Sequence, residues 1–254
     1  MTITATDTTT TLQSALTELL TRSVRIAVKN DQAEPRPGQL ALTLDIWQAL
    51  TQKAGISAIA PTGTGKSAAH MTCAALAAQA LHERTVISTD SLALQAQFIE
   101  KELPAVAQAL RDMTGYELNY AVLKGVNNYV DPISAMVLAQ GLTGKEQEKH
   151  FPALIEALQG PLSPDFKPDG WGDFSSKETL AALASWALEA YLDDDAPGDR
   201  DSCPVEHTAD DWQLVSASSD TKASEEDSGY QHKGDVARGL AAESDIVVTN
   251  HTLL

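Results

Sequence analysis

Apolar positions along the first half of the chain change their period several times. Leu12, Leu16, Leu19, Leu20 and Ile26 recur at helical spacing, which predicts an amphipathic helix over residues 12–28. The stretch 30–38, with two prolines and charges of both signs, ends it. A second helix follows, on which Leu42, Ile46, Ala49 and Leu50 share a face. The apolar run 56–60 reads as a short strand, and the alanine-rich stretch 68–81, free of Gly and Pro, reads as a helix. Further strands are predicted at 85–89 and 120–123, with a helix from 90 to about 103 that Pro104 interrupts and 105–111 continues. Strands alternating with helices predict an α/β fold with a parallel sheet and its ligand at the strands' C-terminal ends.

Beyond residue 130 this alternation stops. Helical patches at 145–158 and 177–192 are separated by Pro- and Gly-rich loops (160–172), an acidic run (Asp193, Asp194, Asp195) and a polar stretch, 216–229, read as disordered. An apolar strand pattern returns at 246–250. The expected organisation is therefore a disordered tail (1–11), the first part of an α/β domain (12–129), a mainly helical insertion (130–236) and a return to the α/β domain (237–254).

Charge sharpens that division. The net charge of −17 argues against nucleic-acid binding until it is divided along the chain. Residues 1–150 hold 12 basic and 14 acidic side chains, and residues 151–254 hold 6 and 21. The acidity belongs to the second part, so a phosphate contact in the first is not excluded. The first eleven residues lack the basic start and apolar core of a secretory signal, and no apolar run is long enough to cross a bilayer. Two cysteines, Cys73 and Cys203, cannot form a disulfide framework. A cytoplasmic protein is expected.

The candidate chemistry sits between the predicted strand 56–60 and the helix after it. Ala60-Pro61-Thr62-Gly63-Thr64-Gly65-Lys66-Ser67 reads as a phosphate-binding loop. Its glycines let successive N–H groups point at one set of phosphate oxygens, and the helix N-terminus adds its positive dipole end. Lys66 would neutralise the β and γ phosphates, and the Ser67 hydroxyl would take one position on Mg²⁺. Upstream, the Gln39 amide could pair with the donor and acceptor edge of adenine. Cys203 and His207, with His232 further on, make an incomplete zinc set.

Arg36-Pro37-Gly38-Gln39, Ala60 to Ser67, Ile87-Ser88-Thr89 with Leu92-Ala93-Leu94-Gln95, Leu123-Lys124-Gly125 with Asn128-Tyr129, and Ala237-Arg238 through Asn250-His251 to Leu254 stand in the order of the N-terminal motifs of a known family. Together they resemble the DinG/XPD-like superfamily 2 ATP-dependent DNA helicases, whose loops also carry alanine in place of the first glycine. The resemblance implies a RecA-like P-loop NTPase domain that uses ATP and Mg²⁺ to move along single-stranded DNA, 5′ to 3′, and unwind duplexes. It assigns Gln39, Thr62, Gly63, Thr64, Gly65, Lys66 and Ser67 to the nucleotide, with Lys66 and Ser67 catalytic. Thr89, Ser91 and Gln95, at a strand end and helix start, and Lys124 at the next strand end, would meet the DNA backbone.

Two departures from the family are visible. The family's iron–sulfur domain needs four cysteines. Its first falls here at Asp131, and Cys203 is the only cysteine of the insertion. A cluster is therefore not expected, and the insertion reads as a vestigial remnant of that domain, or as a surface that docks a basic partner. No Asp-Glu dipeptide occurs, so the pair that holds Mg²⁺ and orients water in such ATPases is missing. The expectation is an N-terminal ATP-binding portion, truncated before the DEAH box and inactive alone, that works with a C-terminal helicase half in the same or a separate chain. The alternative is a non-catalytic nucleotide-binding module that docks a partner through its acidic insertion.

Overall fold

A computed structural model of the chain describes residues 5–61, 63–168, 172–218 and 230–253. They form two units, one of residues 1–122 with 241–254 and one of residues 123–240.

The first unit opens with α1 (Ala5–Val28), so residues 5–11, expected as a tail, are helical. Extending a nucleated helix adds one hydrogen bond per residue fixed, which favours such an extension. Leu16, Leu19 and Leu20 are its buried stripe, while Ile26 lies at the exposed margin. Next comes α2 (Pro37–Thr51), with proline in its first turn, where the missing N–H has no helical partner to lose. Its buried face is Gln39, Thr43, Ile46 and Trp47. The predicted stripe is thus rotated, because the bulky Trp47 turns inward and leaves Leu50 at the surface. Thr43 Oγ1 donates to the carbonyl of Gln39 at 2.8 Å, and the Cys73 thiol donates to the carbonyl of Thr43, so both polar groups are satisfied inside. Burial pushes the Cys73 thiol up to about 12.

The central element is α3 (Lys66–Leu81), with Ala69 and every residue from Met71 to Ala78 buried. Alanine on all sides lets α1 and α2 pack closely against it. Strand β1 (Thr85–Thr89) leads into α4 (Leu92–Gln97), a π-helical turn (Phe98–Glu102) and α5 (Leu103–Thr114). Pro104 lies in the first turn of α5, and the Leu103 N–H reaches back five residues to the carbonyl of Phe98. The helix thereby passes the proline by widening one turn rather than stopping. Strand β2 is Tyr120–Leu123.

The second unit begins at Leu123, the last residue of β2. Its helices are α6 (Pro132–Thr143), α7 (Phe151–Leu158), α8 (Lys177–Leu192) and α9 (Ala209–Gln213). Of the expected helix 145–158 only the part from Phe151 forms, with a proline in its first turn. Leu142, Leu154, Leu180, Leu183 and Leu188 are fully buried, and Phe151, Tyr191 and Tyr230 pack ring on ring, Phe151 at 5.6 Å from Tyr191 and 5.2 Å from Tyr230. This is a hydrophobic core of its own, richer than the patchy pattern suggested. Most of the stretch 216–229 lies outside the described residues, so its expected disorder has no counterpart here.

Polar caps hold the second unit's helices. Asp131 accepts from the N–H of Ser134 at 2.9 Å and its hydroxyl at 2.6 Å, capping α6. Asp211 is fully buried and accepts from the N–H of Ser175 at 2.9 Å, the Ser175 hydroxyl at 2.6 Å and the N–H of Thr208 at 2.8 Å. Burial acts to raise its pKa, but the bonds from Ser175 and Thr208 outweigh it and hold the carboxyl below its ordinary value. A depressed native pKa means the unfolded chain binds the proton more readily, so Asp211 stabilises the fold above about pH 4, and this is lost as pH falls through the lowered value. Asp211→Asn should lower the urea midpoint at neutral pH and flatten its fall on acidification; parallel pH profiles would remove Asp211 as the cause.

Helix α10 (Lys233–Glu243) leads back to the first unit and to β3 (Ile246–Asn250). The sheet order is β1-β3-β2. β1 and β3 are parallel, pairing Thr85 with Ile246 and Thr89 with Asn250. Asp245, just before β3, accepts from the Tyr116 hydroxyl at 3.1 Å and from the N–H of Asn119 at 3.0 Å. Its carboxylate ties the N-terminal end of the sheet. Residues 56–60 form no strand, and Ile59 is fully exposed. A strand needs a neighbour for its N–H and C=O groups, and among the described residues none pairs with this run.

Candidate nucleotide site

The loop expected to hold phosphates closes onto the start of α3. Gly63 and Gly65 adopt φ of +78° and +82°, a left-handed backbone that favours glycine. Gly65 also allows a close approach. A Cβ there would lie 2.5 Å from Nε2 of Gln39, and that amide donates to the carbonyl of Gly65 at 3.3 Å. Gln39, assigned from the sequence to adenine, is thus buried as a brace beneath the loop. The guanidinium of Arg36, just before α2, donates to the carbonyl of Gly63. Arg36 opens the Arg36-Pro37-Gly38-Gln39 motif, whose pattern alone does not announce this contact.

Thr62 lies outside the described residues. Thr64 Oγ1 donates to the carbonyl of Pro61 at 2.8 Å, which fixes the loop locally. Lys66, the first residue of α3, turns its ammonium onto the carbonyls of Ala60 and Pro61, the latter at 2.9 Å. Burial first, and the Lys66 charge second, hold the pKa of His70 below its ordinary value. Ser67 Oγ donates to Oε1 of Glu102 at 3.0 Å, and the Gln97 amide donates to the same oxygen. The other carboxylate oxygen of Glu102 is buried without a partner.

A cleft of about 310 Å³ opens beside these groups, lined by Arg36, Gln39, the loop glycines, Ser67 and Glu102, with an apolar wall from α1 and α5. Its residues fit a nucleotide and Mg²⁺: two left-handed glycines, a hydroxyl and a carboxylate with one oxygen unbonded, with the N-terminus of α3 and the Lys66 side chain adjoining them. Sequence reasoning missed Glu102. It reads as a surface charge before Pro104, and only the packing of the π-helical turn against α3 brings it to Ser67.

The four residues assigned to DNA are placed less openly. Thr89 is buried, and its hydroxyl donates to the carbonyl of Ser91 at 2.9 Å. The half-exposed Ser91 caps α4 by accepting from the N–H of Leu94 at 3.3 Å, the capping role its residue type favours. Gln95 is 1% exposed, with neither amide atom bonded. Lys124 belongs to the second unit, where its ammonium donates to Asp199 and Asp201, both at 2.7 Å. Burial acts to lower its pKa, but the two carboxylates outweigh it and raise the value. At the C-terminal edge of β1, Ser88 Oγ lies 2.6 Å from Nδ1 of His251, a pairing across 163 positions that no local pattern announces.

Among the described residues no group of three or more His, Cys, Asp or Glu could hold a metal ion. Cys203 and His207 bond locally, the thiol to the carbonyl of Val205 and the imidazole to Arg200. No helix among the described residues is long and apolar enough to cross a membrane.

No protein-family model matches the chain. Over 225 residues, 86% of its length, it is 29% identical to a protein of Mycobacterium tuberculosis named ATP-dependent helicase DinG. Over 222 residues, 87% of its length, it is 28% identical to one of Escherichia coli named ATP-dependent DNA helicase YoaA, and 26% identical to one of Bacillus subtilis named 3′-5′ exonuclease DinG. The chain spans about 30% of the first two relatives and 20% of the third. The likeness carried by the ordered motifs extends over most of the chain: it is similar to DinG and YoaA helicases over a length that corresponds to one portion of them.

Proposed function

We propose that this chain is the N-terminal, nucleotide-binding portion of a DinG-like ATP-dependent DNA helicase, completed by a C-terminal half in the same or a separate chain. The observation that carries this reading is the brace of Arg36 and Gln39 under the Gly63–Gly65 loop, with Lys66 and Ser67 following at the start of α3. The N–H groups of the loop and the Lys66 ammonium hold the phosphates, and the Ser67 hydroxyl takes Mg²⁺, which when bound offsets the phosphate charge. Lys66 reaches the nucleotide by leaving the carbonyls of Ala60 and Pro61. Gln39 is fixed near the apolar cleft, where the base would lie.

The larger reading includes translocation on single-stranded DNA, 5′ to 3′, with unwinding. Ser91 is the accessible member of its backbone-contact set; Thr89 and Gln95 are buried within the first unit, and Lys124 is free for phosphate only when it leaves Asp199 and Asp201. That burial, together with the acidity of residues 151–254, favours a second reading, a nucleotide-binding module that docks a basic partner.

ATP hydrolysis separates the two. Alone, the chain should turn over ATP slowly, because no Asp-Glu dipeptide occurs in it to hold Mg²⁺ and orient water, and an arginine finger supplied by a further portion would by itself be worth about 10³–10⁵ in rate. Adding the C-terminal portion of a DinG relative should restore hydrolysis stimulated by single-stranded DNA, with binding that is indifferent to sequence and weakens with salt. Nucleotide binding without hydrolysis in either case would favour the docking module.

A further inference from the structure

Glu102 stands where the nucleotide reading left no carboxylate. It is the last residue of the π-helical turn, and the extra residue of such a turn shifts the direction of the side chains that follow by about 100° relative to an unbroken helix. So placed, it accepts the Ser67 hydroxyl at 3.0 Å. The Gln97 amide donates to the same oxygen and fixes the carboxylate. The second oxygen is buried and has no donor, and Glu102 is one of the residues that line the cleft. A buried carboxylate oxygen left unbonded costs free energy, and a small turn of the side chain toward the cleft that Glu102 lines would bring it a donor from a hydrated cation.

We propose that Glu102 is a positioning residue of the nucleotide site, which takes the Ser67 hydroxyl hydrogen so that the oxygen's lone pairs face the phosphate-bound divalent cation, and whose free oxygen accepts from that cation's hydration shell. The proposal rests on the nucleotide reading of the loop. Its chemistry is that of the partners behind metal ligands in general: they orient the ligand, add negative charge near the cation, and change metal affinity about 10–100-fold when removed. Without the cation, the same charge opposes the phosphates. Glu102 therefore makes nucleotide binding depend on Mg²⁺, a property that a side chain serving only to fasten two helices would not confer.

The test is the affinity of the 254-residue chain for ADP, measured by calorimetry in excess Mg²⁺ and in EDTA, for wild type, Glu102→Gln, Glu102→Asp, Ser67→Ala and the double variant Ser67→Ala with Glu102→Gln. The ratio of the two affinities should fall about tenfold in Glu102→Gln, with metal-free binding strengthened. It should fall similarly in Ser67→Ala, without a further fall in the double variant, and take an intermediate value in Glu102→Asp. A folded Glu102→Gln with the wild-type ratio overturns the proposal while leaving the nucleotide reading intact. Wild type that binds no ADP under either condition overturns both. If Glu102→Gln does not fold, Glu102→Asp decides: a reduced ratio supports the proposal and an unchanged one overturns it.

Discussion

Replacing Lys124 with alanine should destabilise the second unit by about 3–5 kcal/mol, the usual cost of leaving one member of a buried ion pair without its partner. Lys124 and Asp199 have side-chain exposures of 8% and 7%, whereas Asp201 is 43% exposed, so the cost falls mainly on Asp199. The carboxylate of Asp199 retains only the N–H of Ser202, at 2.9 Å, among its described partners. Urea unfolding can be followed through Trp186 and Trp212, whose rings lie 6.1 Å apart in this unit. Exchanging Lys124 and Asp199 together for apolar residues should cost much less, because no charge is then stranded. The alternative has a different signature. If Lys124 met DNA phosphates instead, its loss would leave stability unchanged and weaken single-strand binding, with the salt dependence reduced by about one counterion.

Lys66→Ala should weaken nucleotide binding by about 2–5 kcal/mol, the range for truncating one partner of a hydrogen-bonded charge pair. At the upper end that is a factor of several thousand. The fold should hardly notice, since the ammonium's bonds run to the carbonyls of Ala60 and Pro61 within its own loop. Equal thermal stability with nucleotide binding lost would place the lysine opposite phosphate. Unchanged binding would remove it from the site.

These two lysines show where the sequence was legible. Lys66 belongs to a contiguous motif whose spacing dictates its place at a helix start, so its position could be read directly. Lys124 was read from its position at a strand end, but its environment depends on Asp199 and Asp201, 75 and 77 positions away, and no periodicity encodes that. The same distinction runs through the fold. Helix α8 and strands β1, β2 and β3 have the bounds their patterns predict, since period and flanking residues are local. The run 56–60 has an equally good strand pattern yet forms none, because a strand requires a neighbour that local pattern cannot supply. Thr89 and Gln95 stand at a strand end and a helix start, where polar groups meet phosphates, but packing buries both. Glu102 was invisible for the opposite reason, a charged residue in a charged stretch that a widened helical turn carries to the hydroxyl of Ser67.

On the reading proposed above, the loop from Ala60 to Ser67, braced by Arg36 and Gln39, holds the phosphates of a nucleotide. Calorimetric titration of the purified chain with ADP in the presence of Mg²⁺ tests it most directly. A single saturable site that disappears in Lys66→Ala is the predicted result, whereas a folded wild-type chain showing no binding up to about 1 mM ADP, weaker than about −4 kcal/mol, would contradict it.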